Sequence, residues 1–227
     1  MRVREKKRED LREKTMEHPF RPEHFARVDE SPDPEFYSLP RKVVHIDDAA
    51  IDAIKQFFAE TLPPNGVILD LLSSWRSHWP AELPKQRLVG VGLNAEEMAD
   101  NPHLDEYVVH DVNTDPRLPF DANLFDAVVL TVSIQYLTKP IEAFQEVNRV
   151  LKPGGLFIVI FSNRMFPTKA VAVWRAMGDD QHIKLVNSYF HYAGNFVELQ
   201  AQDRTPQGDE YTDPVYVVMA RKGSAQA

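Results

Sequence analysis

His110–Asn163 reads HDVNTDPRLPFDANLFDAVVLTVSIQYLTKPIEAFQEVNRVLKPGGLFIVIFSN, and its order of patterns decides the fold. Phe125–Leu130 is an apolar run without alternation, as expected of a strand buried on both faces of a parallel sheet. Ile141–Leu151 carries helical spacing, and Leu156–Phe161 is a second buried strand. Between these two, Lys152-Pro153-Gly154-Gly155 is read as a turn that ends the helix and feeds the strand, because Pro blocks continuation and Gly permits positive φ. Strand, helix and strand in this order make one βαβ step.

Working outward, the same rhythm repeats upstream. Val67–Leu69 leads to Asp70, Leu88–Val91 to Gly92, and Glu106–His110 to Asp111. Helix-like stretches cover Glu96–Asp100 and Thr168–Met177. Asp47 or Asp48 is placed to cap a helix carrying Ile51, Ile54, Phe57 and Phe58, which must stop before Pro63-Pro64. Downstream, Asp179 or Asp180 is placed to cap a helix through Ile183, Val186 and Tyr189, with Gly194 placed to end it. Phe196–Gln202 and Pro214–Ala220 then follow as two strands with a polar turn between them, an antiparallel pair. The chain therefore reads as α/β, a Rossmann-like doubly wound sheet with an antiparallel hairpin at its C-terminal edge.

Composition sets further bounds. The 227 residues are 43% hydrophobic and 26% charged, with net charge −8 and no cysteine. Disulfides, thiolate metal sites and a cysteine nucleophile are excluded. The eight histidines lack metal-ligand spacing, so no metal is expected. The negative body disfavours nucleic acid; residues 1–14 hold seven Lys/Arg against four acids and read as a solvated tail. No apolar run is long enough for a membrane span, and a cytoplasmic monomer or homodimer is expected. Residues 1–46 form a charged leader able to act as a lid through Tyr37 and Arg41, of which 1–35 are Pro-punctuated and read as extended or loosely packed. Residues 47–222 form the domain, and 223–227 a flexible tail.

The quoted stretch resembles small-molecule methyltransferases of the ubiquinone-biosynthesis (type 11) kind. An acid after the third strand, Leu118-Pro119-Phe120, Phe125-Asp126 opening the fourth strand, and Arg149–Gly155 before the fifth arrive in that family's order. The resemblance implies the class I methyltransferase fold, with seven strands, and S-adenosylmethionine (SAM) as cofactor. It places the cofactor at Asp70, Leu71, Ser73 and Ser74 after the first strand and Leu93 and Asn94 after the second. Asp111 and Val112 after the third strand, with Asp111 on the adenine amino group, and Thr131 after the fourth complete that set. Tyr136, Arg164 and His191 are the implied acceptor-side or catalytic candidates, with Gln135 and Asn163 beside them.

Two departures stand out. The family's first loop is Gly-x-Gly-x-Gly, which lets backbone approach the ligand; here it is Leu71-Leu72-Ser73-Ser74-Trp75-Arg76. Ser73 and Ser74 hydroxyls and the Arg76 guanidinium are expected to make up the lost contacts, with Trp75 or Trp79 walling off water. The family's ribose-binding acid is also missing, with Gly92 in its place. These departures leave a second reading, a binding or regulatory protein with a degenerate cofactor site. A third reading, a dehydrogenase, is disfavoured by the absence of Gly-x-Gly-x-x-Gly and by the terminal hairpin.

Overall fold

The computed structural model describes residues 17–224; the charged tail at 1–14 and most of the C-terminal tail lie outside them. Seven strands form one sheet: β1 (Gly66–Leu71), β2 (Lys85–Gly92), β3 (Glu106–Val109), β4 (Phe125–Thr131), β5 (Leu151–Phe161), β6 (Phe196–Asp203) and β7 (Tyr216–Lys222), in the order β3-β2-β1-β4-β5-β7-β6. The first five pair in parallel, while β7 runs antiparallel to both β5 and β6. All six residues of β1 are buried, which explains its unbroken apolar reading.

Six helices, α1 (Asp33–Phe36), α2 (Asp48–Thr61), α3 (Ala95–Ala99), α4 (Pro140–Val150), α5 (Ala172–Arg175) and α6 (Asp179–Ala193), accompany the sheet. Asp47 caps α2 by accepting from the Ala50 N–H at 2.8 Å. The Ile51, Ile54, Phe57 and Phe58 face of α2 packs on Ile68, Leu88, Val129 and Ile158. On the opposite face, α4 and α6 bury Phe144, Val147, Tyr189 and Phe190 against Leu69, Val128, Phe157 and Val159. Phe144 meets Phe157 and Phe190 edge-on at 4.7 and 4.9 Å, a geometry that aromatic quadrupoles favour. Gly194, at φ +74°, ends α6 as expected, whereas the N-cap of α6 is Gly178, whose N–H donates to Gln181 Oε1 at 3.1 Å, and Asp179 and Asp180 lie in the first turn.

Three further local expectations are corrected. Lys152–Gly155 is no simple helix stop: α4 ends at Val150, Leu151 already pairs with Phe125, and the register then jumps to Ala127↔Leu156. The four residues bulge out of β5 opposite Asp126, whose carboxylate accepts from Lys152 Nζ at 2.7 Å and from the Val67 N–H at 2.9 Å. Thr168–Met177 is helical only over α5, because tertiary partners claim the backbone before it. The Val171 N–H goes to the Gln135 carbonyl and the Ala172 N–H to the Ala26 carbonyl.

The third correction concerns the leader. Residues 17–46 are not loose. Phe20 packs 5.4 Å from the Tyr189 ring and 5.6 Å from Phe25. Asp33 is buried, accepting from Arg27 Nη1 at 2.6 Å and Asn113 Nδ2 at 2.8 Å, with Lys169 Nζ 3.3 Å away. Lys169 itself is fully buried and also donates to the Ser31 carbonyl at 2.7 Å. Charges so deeply buried persist only when mutually paired. The leader is thereby fastened to the loop after β5.

Candidate active site

Open α/β sheets bind ligands beyond the carboxyl ends of their strands, and there the loop after β1 turns back over β2. The Ser73 N–H donates to the Val91 carbonyl at 2.7 Å. A Cβ on Gly92 would overlap the Ser73 carbonyl oxygen and stand 3.0 Å from Met98 Sδ. Only glycine fits position 92 while the loop lies where it does. The two departures from the family pattern are one structural change: the glycine-free loop occupies the space from which the acid would project.

The loop holds its path without glycine by accepting strain and by building a polar network. Leu72 sits at φ +58° and His78 at φ +49°, while Val132 at the end of β4 sits at φ +52°, a region that β-branched residues rarely enter. Asp70 Oδ2 accepts from Ser73 Oγ at 2.7 Å and Ser77 Oγ at 2.6 Å. Asn101 Nδ2 donates to Ser77 Oγ at 2.8 Å and to the Ser74 carbonyl at 2.9 Å. Ser74 Oγ donates to Glu97 Oε2 at 2.5 Å. The serine hydroxyls expected to serve a ligand are thus engaged inside the protein.

Glu97 connects this loop to a lid. Its Oε1 accepts from the Arg41 N–H at 2.5 Å, Trp75 Nε1 donates to the Val43 carbonyl at 3.2 Å, and Asn94 Nδ2 donates to the Tyr37 carbonyl at 2.9 Å. Asn94 also caps α3 by accepting from the Glu97 N–H. Residues 37–46 therefore roof the carboxyl ends of β1, β2 and β4. Beneath them lies a cavity of about 170 Å³, lined among others by Tyr37, Arg41, His45, Asp70, His78, Glu97, Asn113, Thr131, Tyr136 and Phe166.

The cavity favours uncharged forms. Burial pushes the Tyr37 and Tyr136 phenols up, Tyr37 further raised by the neighbouring Tyr136, so both stay protonated. Burial lowers His45, and lowers His78 to about 4 with help from Arg76, so both imidazoles are neutral near pH 7. Burial raises Asp70 to about 6 against two serine hydrogen bonds that oppose it. An acid whose folded pKa is raised holds a proton that the unfolded chain has released, so stability falls as pH rises between about 4 and 6. Asp70→Asn is expected to be about 1–3 kcal/mol more stable than the parent at pH 7.5. Urea denaturation of both proteins from pH 4 to 7.5 checks this: a stability difference that does not grow with pH contradicts it.

The sequence-derived candidates divide by position. Asp70, Ser73, Ser74, Leu93, Asn94, Thr131 and Tyr136 line the cavity, as do Tyr37, Arg41, Trp75 and Arg76. Arg76 stacks over the Trp75 ring at 4.1 Å. Leu71 and Val112 are buried in the core. Asp111 lies in an adjoining groove; its carboxylate accepts from the Asn113 and Thr114 N–H groups and Thr114 Oγ1, closing a local turn. Between Asp111 and the cavity runs the leader, held by Asp33 to Asn113 and by Tyr37 to Asn94.

Arg164 pairs with Asp213 at 2.7 Å and does not line the cavity. His191 stands near the end of α6, just before β6. That strand runs parallel to β5 and starts at the sheet edge opposite the cavity, so topology separates His191 from the site. Trp79 is a core residue donating to the Leu83 carbonyl. Sequence reasoning missed His45, His78, Glu97, Asn113 and Phe166. Glu97 had the one visible signal, an acid in the first turn after the strand that lacks its terminal acid.

A family model described as a methyltransferase domain matches residues 78–159. The match begins just past the glycine-free loop. The sheet order and this match agree. Residues 78–159 thus resemble a methyltransferase domain, and the sheet has the order of the class I methyltransferase fold. A demethylmenaquinone methyltransferase of Protochlamydia amoebophila is 38% identical over 61 residues, which cover 27% of this chain and 24% of that protein, so the chain matches only about a quarter of that relative's length. The structure of an S-adenosylmethionine-dependent methyltransferase from Mesorhizobium loti superposes with TM-score 0.56 at 17% identity, covering 76% of this chain and all of that one. Phosphoethanolamine N-methyltransferase 2 of Haemonchus contortus, solved with S-adenosyl-L-methionine, gives TM-score 0.55 at 14% identity over 77% of this chain and 52% of that one.

Proposed function

We propose that the chain is a SAM-dependent methyltransferase acting on a small-molecule acceptor, as a cytoplasmic monomer or homodimer. One observation carries this reading: a roofed cavity at the carboxyl ends of β1, β2 and β4, lined by polar groups that the protein leaves unsatisfied. Thr131 Oγ1 and Arg41 Nη1 are buried without a hydrogen-bond partner. Orphaned polar atoms at a cavity wall are expected where a ligand completes them. The net charge of −8 and the enclosed cavity support a small acceptor over nucleic acid. Among the described residues, no helix is long and apolar enough to cross a membrane.

The residues present fit the cofactor in a rearranged way. Thr131 and the backbone of Leu72–Ser74 would meet its amino acid end, with Arg76 at the rim, and Glu97 offers the carboxylate that Gly92 lacks. Bound there, SAM would supply an electrophilic methyl group on a sulfonium. The chain's own tasks are then to orient the acceptor, exclude water and, for acceptors that ionise, take a proton. Residues 37–46 exclude water, the Tyr136 and Phe166 rings form an aromatic wall, and neutral His45 and His78 are proton acceptors of fitting charge state. The cavity, at about 170 Å³, is smaller than the several hundred Å³ usual for ligands of this size, so loading SAM would require the roof to move.

Calorimetric titration with S-adenosylhomocysteine tests the reading; a micromolar dissociation constant is expected. No heat at millimolar ligand would sink it and leave the fold with another task.

A further inference from the structure

We infer that Arg41 is a receptor for a carboxylate on the methyl acceptor, which would make the acceptor a small acid with a flat, apolar body; this rests on the methyltransferase reading above.

The inference begins with charge pairing. The other buried or half-buried cations near the site, Arg27 and Lys169, share the carboxylate of Asp33, and even exposed Arg164 pairs with Asp213. Among the described residues, no carboxylate lies within ion-pair distance of the Arg41 guanidinium. Glu97 accepts the backbone N–H of Arg41, yet the side chain turns away from it. It lies 4.0 Å over the Phe36 ring, with Phe166 and Tyr37 at 5.6 and 5.7 Å. Aromatic faces stabilise a guanidinium without satisfying its N–H groups, and Nη1 remains buried and unpartnered. A desolvated donor of this kind is costly unless something accepts from it.

The geometry selects the class of partner. A planar guanidinium fork matches a carboxylate in bidentate fashion. Three carboxylates, Asp33, Asp70 and Glu97, also line the cavity, so a single negative charge is tolerated better than the double charge of a phosphate monoester. The rings of Phe166 and Tyr136, tilted 30° to one another, line the cavity and supply apolar aromatic surface for the remainder of the ligand. The same carboxylate chemistry is present on the amino acid end of the cofactor. The guanidinium nevertheless sits beside Phe166, beyond β5, while the loop after β1 lies on the other side of Glu97, which favours the acceptor.

The test uses the full chain and four probes. The parent should bind benzoate roughly ten- to hundredfold tighter than benzamide, its uncharged counterpart. Arg41→Met, which keeps the stem but not the charge, should erase that difference, and Arg41→Lys should restore part of it. S-adenosylhomocysteine and 5′-methylthioadenosine, which lacks the amino acid end, should each bind Arg41→Met as they bind the parent. Loss of only the S-adenosylhomocysteine affinity in Arg41→Met, with benzoate unaffected, assigns the carboxylate to the cofactor and overturns the proposal. Equal affinity of the parent for benzoate and benzamide overturns it too, and stands even if Arg41→Met fails to fold. Failure of the parent to bind S-adenosylhomocysteine refutes the methyltransferase reading separately, since the benzoate comparison does not depend on it.

Discussion

Restoring the family's acid by Gly92→Asp is expected to destabilise the protein by about 3–5 kcal/mol rather than improve its cofactor site. The new Cβ would collide with the Ser73 carbonyl and press on Met98 Sδ. Backbone cannot swing aside as a flexible side chain would, because the Ser73 N–H is held by the Val91 carbonyl. Overpacking alone costs about 1–3 kcal/mol, and a second carboxylate beside buried Asp70 adds to it. Gly92→Ala separates the two contributions, with about 1–3 kcal/mol expected from the steric part. Urea denaturation midpoints measure both. A Gly92→Asp protein melting within a degree or two of the parent would mean that the loop yields freely, and the unity of the two departures would be lost. The acid and the glycine-free loop exclude each other, so only variants that change both together reach the usual family arrangement.

Asp33→Ala is the second large effect. It leaves Lys169, which is fully buried, with only Asp29 at 3.6 Å and carbonyl or hydroxyl partners. Removing one member of a buried ion pair typically costs about 3–5 kcal/mol, and the same range is expected here. Lys169→Met leaves Asp33 with Arg27 and should cost less. The double replacement Asp33→Leu with Lys169→Met removes both charges and should recover at least half of the loss. Limited proteolysis supplies a structural readout, since the leader should become cleavable between Arg21 and Arg41 in Asp33→Ala but not in the double variant. Single and double variants of equal stability would show that the pair does not fasten the leader.

Much of the fold was legible because it rests on local patterns. The strands buried on both faces, the Asp47 cap, the Gly194 stop and the terminal hairpin all follow from residue type and spacing alone. The bulge at Lys152–Gly155 was not legible, since it depends on register with β4. The shortened helix at α5 was lost to partners almost 150 residues away. In the site, the positions following each strand could be named, but not which side chains would be consumed internally. Ser73 and Ser74 looked free for a ligand and are taken by Asp70 and Glu97. Asp111 looked like an adenine partner, and it closes a turn across the leader from the cavity. His45, His78 and Phe166 reach the cavity through loop paths that no periodicity announces.

The strap from Phe20 to Ile46 leaves the ribosome before the sheet and finds its anchors after it. Its contacts reach Thr168, Lys169, Ala172 and Tyr189, near the other end of the chain. Lys169 is separated from Ser31 by 138 residues. Contacts of such separation form late, because a long loop must close before they return any stabilisation. During synthesis the sheet from β1 to β4 can therefore assemble while its carboxyl edge is still open to water. The roof closes only after the chain beyond β5 has emerged. A nascent chain stalled before Thr168 would hold a nearly complete floor with no ceiling, and any ligand that needs enclosure would have to wait until the residues from Thr168 onward have emerged.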